Sequence, residues 1–234
     1  MSANAALPRR TYQGDVTISA VGFGGILLVG LDPQAANAAV REAVEAGVDY
    51  FDVAPTYGKG EAEERLGPAL EPFRDEAFLA CKTTQRDAAG AQRELDQSLK
   101  RLRTDHVDLY QFHGVASDED AERILAPGGA AETFHRARQA GKARFLGLSA
   151  HDEAAAIRLM DALQLHSVLL PINFVCAAQG GFGPRTIEAA RDRGVARLAL
   201  KGMAYTPWRP DEKRTWRKCW YRPADDPDLA RRAV

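Results

Sequence analysis

Apolar and polar positions follow two periods along the chain. Short apolar runs at Tyr50–Val53, Phe78–Lys82, Val107–Phe112, Phe145–Leu148, Val168–Ile172 and Val195–Leu200 predict buried strands. Between them, helical spacing predicts Pro33–Ala46, Glu61–Leu70, Ala88–Leu102, Ala131–Ala140, Asp152–Leu163 and Pro184–Arg193. Leu95, Leu99 and Leu102 share one side of the third of these helices. Asp32 is placed as an N-cap, and Gly47, Gly141 and Gly194 as stops. Earlier, residues 11–18 alternate around Gly14-Asp15, which predicts a hairpin forming a small lid under a barrel. Ile18 to Phe23 reads as the first strand, ending in Gly22-Phe23-Gly24-Gly25. The stretch from Gly114 to Gly129 reads as a longer connection broken at Pro127-Gly128-Gly129.

Strands that alternate with helices imply a parallel α/β sheet with right-handed crossovers. A doubly wound sheet would carry a glycine fingerprint after its first strand, but Leu27 stands where the third glycine belongs. A TIM-type (β/α)8 barrel, of about 250 residues, fits better, with residues 1–234 as one domain. After Leu200 no β-like run follows, a last helix begins near Asp226, and the sequence stops at Val234. The count is seven strands, so the expectation is an incomplete barrel lacking the eighth βα unit, a short chain or a fragment. Its unpaired edges would favour self-association.

Composition narrows the classes. The chain is 45% apolar and 27% charged with a net charge of −1, which argues against nucleic acid or an anionic membrane as partner. Basic residues gather late, at Arg209, Lys213, Arg214, Arg217 and Lys218, and read as a solvated loop or a phosphate site. Three unpaired-looking cysteines, Cys81, Cys176 and Cys219, suggest reduced thiols in the cytoplasm, and Cys81 reads as a small core residue. No apolar run approaches the ~20 residues of a membrane span. Arg9-Arg10 is followed by polar residues, unlike a signal peptide. Cys and His show no metal-ligand spacing.

The candidate chemistry lies at strand ends, all on one rim of such a barrel. Lys82 closes an apolar strand and either snorkels outward or is held inward by a carboxylate, for which Asp52 is at hand. Tyr57 is a packed aromatic or, beside a lysine, a phenol whose pKa falls from about 10 toward neutrality and which can donate a proton. His113 is a satisfied histidine or a group that orients a carbonyl. Asp108, earlier on its strand, reads as structural and near the barrel floor.

The stretches VGFGG, DYFDVAPTYG, FLACKT, DHVDLYQFHG, GLSAH and LALKGMA, in this order, resemble the aldo-keto reductase family over nearly the whole chain. The resemblance implies a barrel that transfers hydride from NADPH, with NADH as the other nicotinamide cofactor, to a small carbonyl substrate without a metal. It implies a catalytic tetrad at Asp52, Tyr57, Lys82 and His113. Tyr57 would be the general acid, Lys82 would tune it, Asp52 would hold Lys82, and His113 would orient the carbonyl. It places Ser149 and Asn173 at the nicotinamide carboxamide, Gly24 at a close approach and Lys201 near the pyrophosphate. Ala150-His151 follows Ser149 where the family usually has asparagine or another small residue. The family's adenosine-phosphate residues have no counterpart here, which leaves a catalytically silent binding or regulatory relative as the alternative.

Overall fold

The computed structural model describes residues 7–215 and 218–233. A hairpin of β1 (Arg9–Gln13) and β2 (Val16–Ser19) comes first. Then β3 (Phe23–Gly24), α1 (Pro33–Glu45), β4 (Tyr50–Asp52), α2 (Glu61–Leu70), β5 (Phe78–Thr83), α3 (Ala88–Leu102) and β6 (Val107–Val115) alternate. Two helices follow, α4 (Asp118–Leu125) and α5 (Ala130–Gln139), before β7 (Ala143–Ala150), α6 (Glu153–Ala162) and β8 (Ser167–Pro171). The chain continues through α7 (Phe174–Ala178), α8 (Pro184–Asp192), β9 (Ala196–Leu200), β10 (Ala204–Pro207), β11 (Tyr221–Pro223) and α9 (Pro227–Ala233).

β3 to β9 form one seven-stranded parallel sheet in sequence order, with β3 and β9 at its edges. Among the described residues this is the (β/α)8 pattern with one βα unit fewer. α1 is held at its start as the sequence suggests, the Asp32 carboxylate accepting from Ala35 N at 2.8 Å, and the structure adds Asp87 and Asp152 as caps of α3 and α6.

Alternation along the strands separates two cores. Phe51, Leu79, Cys81, Tyr110, Phe112, Leu146 and Leu148 face the helices and fill the outer core. Tyr50, Phe78, Ala80 and Leu109 face inward and, with Phe145, meet Tyr12 and Ile18 from the hairpin. The Tyr12 ring lies edge-on to Phe78 at 5.0 Å and to Phe145 at 5.2 Å, and its hydroxyl donates to Ser167 Oγ at 2.9 Å. Gln13 Nε2 donates to the carbonyls of His166 and Gly194. The hairpin therefore caps the N-terminal end of the sheet, and the C-terminal rim stays open. Asp108 belongs to the floor: it pairs with Arg74 at 3.1 Å and accepts from Leu79 N.

Three expectations need correction. Ile18–Phe23 is not one strand. Ile18 belongs to the hairpin, the chain bends after Ser19, whose N–H donates to Asp49, and only Phe23–Gly24 joins the sheet. The Gly114–Gly129 connection holds α4, whose N-cap Ser117 accepts from Asp120 N. The short helix α7 was also hidden. The segment after Leu200 contains β10 and β11, paired antiparallel and apart from the main sheet. Pro207 and Pro223 sit in these short strands and mask them in the sequence. Of the late basic residues, Arg209, Lys213, Arg214 and Lys218 are exposed and Lys218 Nζ reaches Leu27 O, while Arg217 lies outside the described residues.

Candidate active site

β4 ends at Asp52, and the chain then turns through a tight segment, Tyr57–Gly60. Gly58, Lys59 and Gly60 take φ of 62°, 57° and 100° in succession. Glycine adopts these values freely, whereas Lys59 does so at a cost. This reversal sets Tyr57 back over the strand ends. Gly60 is also pinned from outside, because a Cβ there would fall 2.6 Å from the Arg101 guanidinium carbon.

Lys82 lies on the inward face of β5 and is 1% exposed. Its Nζ donates to Asp52 Oδ1, to Val53 O at 3.2 Å and to Tyr57 Oη at 3.4 Å. It also lies 5.1 Å from the centroid of the Tyr57 ring. Of the two sequence readings, inward and outward, Lys82 adopts the inward one. Burial works against the ammonium, but the charge of Asp52 and then Tyr57 outweigh it, and the Lys82 pKa is raised above its ordinary value. A positive charge is thus held within hydrogen-bonding distance of a phenol oxygen.

His113 comes from the end of β6, and its ring meets Tyr57 edge-on at 5.8 Å. Burial first, then the charges of Lys82, Arg86 and His151, push its pKa down to about 3. It is a neutral imidazole at any working pH, able to donate from one nitrogen and accept at the other. The four tetrad candidates, Asp52, Tyr57, Lys82 and His113, therefore lie together.

The depressed His113 pKa has a consequence for stability. As pH falls from 6.5 toward 3, the unfolded chain takes up a proton that the folded chain refuses, so stability is lost in that window. His151 and His166, both lowered by burial first, act in the same direction. A His113→Asn variant should lose less Tm than the wild type between pH 6.5 and about 4. Thermal melts of both proteins across that range check this.

Sequence reasoning missed other groups at the site. Arg86, 8% exposed, donates through Nε and Nη2 to Asp120 and through Nη2 to His113 O at 3.0 Å. It fixes the backbone that carries His113. Gln111 and Tyr50 both donate to Asp52 Oδ2 at 3.3 Å. Gln111 had a signal, a polar residue inside an apolar strand and in step with His113, whereas Arg86 had none in its local pattern.

The remaining candidates stand along the same rim. Ser149 ends the inward face of β7 and is buried. Asn173 spends its side chain within the protein: Oδ1 accepts from Cys176 N at 2.8 Å, capping α7, and Nδ2 donates to Lys201 O at 3.2 Å. Lys201 follows β9 in a left-handed conformation, φ 56°, rare for a side-chain-bearing residue. Gly24 is open: a Cβ there would meet nothing nearer than Ile26 Cγ2 at 4.0 Å. Phe174 is 37% exposed, its ring 6.3 Å from that of Tyr205. Cys81 faces the outer core, and burial pushes its thiol pKa up.

The chain is 31% identical over 167 residues to the aldo-keto reductase YhdN of Bacillus subtilis, covering 64% of this chain and 47% of that one. It is 31% identical over 204 residues to the aldo-keto reductase yakc [NADP(+)] of Schizosaccharomyces pombe, covering 80% and 55%. The chain spans about half the length of the curated relatives it matches. The fold matches an aldo-keto reductase of Bacillus halodurans in its holo form, with a TM-score of 0.73 at 24% identity, over 89% of this chain and 72% of that one. A family model described as the aldo/keto reductase family matches residues 20–218, and the chain belongs to that family.

Proposed function

We propose that the site reduces an aldehyde or ketone to an alcohol with NADPH, in a reducing, cytoplasmic setting. The observation that carries the proposal is the Lys82 ammonium, buried against Asp52 and within 3.4 Å of Tyr57 Oη. Tyr57 gives its proton to the carbonyl oxygen as charge develops there. The charge left on Tyr57 is stabilised by Lys82, which Asp52 keeps inward. Neutral His113 donates a hydrogen bond to the same oxygen and orients the carbonyl. NADPH, when bound, supplies the hydride to the carbonyl carbon.

The residues along the rim suit such a cofactor. Ser149 offers a hydroxyl to the carboxamide, Gly24 leaves space for close approach, and Lys201 brings a cation for the pyrophosphate. Asn173 contributes by bracing Lys201 through its backbone. The strained backbone of Lys201 supports a functional role, since such conformations concentrate at ligand sites. The NADP(+) in the printed name of the yeast relative favours the phosphorylated cofactor. The three free cysteines are consistent with the reducing setting. Among the described residues no helix is long and apolar enough to cross a membrane. The outer edges of β3 and β9 are where two chains would pair, a matter for mass in solution.

Titration of the purified chain with NADPH, followed by nicotinamide fluorescence, tests the proposal. Saturable binding at micromolar cofactor is expected. No response up to millimolar cofactor would favour a relative that has lost the reductase chemistry.

A further inference from the structure

Asp52 uses its two carboxylate oxygens differently. Oδ1 takes the Lys82 ammonium, while Oδ2 takes two neutral donors, Tyr50 Oη and Gln111 Nε2, each at 3.3 Å. Tyr50 lies two positions earlier on the inward face of β4. Gln111 lies on β6 in register with Lys82 itself. A carboxylate only accepts, so the amide nitrogen of Gln111 is the end that must face it. We infer that Gln111, helped by Tyr50, is a positioning residue of this site: it fixes the Asp52 carboxylate through Oδ2, so that Oδ1 holds the Lys82 ammonium against Tyr57. The inference rests on the reductase reading above.

Three features separate this from ordinary packing. Gln111 is fully buried, and its Oε1 has no hydrogen-bond partner among the described residues. An apolar residue of similar size would spare the fold that unpaired acceptor. Gln111 therefore costs stability where it stands, and its contact with Asp52 offers a return in function. Next, Lys82 donates to a single carboxylate oxygen, so rotation of the Asp52 carboxylate would move the ammonium away from the phenol. Two donors on Oδ2, from opposite sides of β5 in the sheet order, oppose that rotation. Finally, burial and the neighbouring Asp52 keep the Tyr50 pKa well above its ordinary value, so its hydroxyl remains a donor at any working pH.

The test uses Gln111→Leu and Tyr50→Phe. The first keeps volume and removes the amide, and the second keeps the ring stacked on Phe78 and removes only the hydroxyl. Each should lower kcat by roughly 10-fold, and the double variant by about 100-fold. The KM for the carbonyl and the Kd for NADPH should not change. The Tm of Gln111→Leu should equal or exceed that of the wild type, which a purely structural glutamine would not allow. A readout independent of turnover is the exchange of the Lys82 ammonium protons, followed by nitrogen NMR. Exchange should be slow in the wild type and faster in both variants. A kcat within about twofold of wild type, or a loss of kcat matched by a fall in Tm, would overturn the inference. If the wild type itself shows no turnover, the reductase reading fails, and the NMR result alone decides whether Gln111 positions Asp52 and Lys82. Unchanged exchange in both variants would then overturn the inference as well.

Discussion

A Tyr57→Phe variant is expected to lose turnover by about 1,000-fold while binding NADPH as tightly as the wild type. The change removes one oxygen, the atom that accepts from Lys82 Nζ at 3.4 Å. The ring remains and keeps its edge contact with His113, so little else in the site should move. Without the hydroxyl, the ammonium still lies beside the mouth of the site but has no proton carrier to act on. Water would then have to protonate the carbonyl oxygen, and a positioned acid typically contributes factors of 10²–10⁴. Steady-state turnover followed by nicotinamide absorbance, paired with fluorescence titration of the cofactor, checks both halves. Unchanged turnover would remove Tyr57 as the acid and pass that role to another group of the site.

Lys82→Met should have the other large effect, and on two observables. The methionine fits the stem of the lysine, but it leaves Asp52 as a mostly buried carboxylate, 16% exposed, without its cation. Breaking a buried pair from one side costs about 3–5 kcal/mol, which for a domain of this size lowers Tm by roughly 10 °C. Turnover should fall at least as far as in Tyr57→Phe. Adding Asp52→Asn to Lys82→Met removes the stranded charge. That double variant should recover most of the lost Tm and none of the lost turnover. Thermal melts and kinetics on the three proteins separate the two roles of the lysine. Recovery of turnover in the double variant would show that the ammonium acts only on stability.

The sequence carried the frame because its strands are apolar runs with clear ends. Phe78–Lys82 became β5 with one more residue, and Tyr50–Val53 became β4 less one. Helix starts were legible where a short acidic side chain caps them, as Asp32 does for α1. The losses have physical causes. Ile18 and Phe23 looked like one strand because nothing local marks the bend after Ser19, which depends on Asp49, distant in sequence. β10 and β11 carry prolines at their ends and, among the described residues, pair with each other apart from the main sheet. At the site, Asp52, Tyr57, Lys82 and His113 stood out as polar groups at the ends of apolar strands. Arg86 did not, because its meaning comes from Asp120 and from the His113 carbonyl, both set by the tertiary fold. Gln111 was visible as an oddity within β6, but its partner on β4 is reached only across the curled sheet.

Carbonyl reduction at this site depends on a phenol made into a proton donor by a lysine that the fold turns inward. The most direct measurement is the product formed when the purified chain meets NADPH and a panel of aldehydes and ketones. At least some carbonyls should be converted to their alcohols, one for each NADPH consumed, and Tyr57→Phe should form almost none. Bound NADPH with no alcohol from any of them, or alcohol formed equally well by Tyr57→Phe, would contradict it.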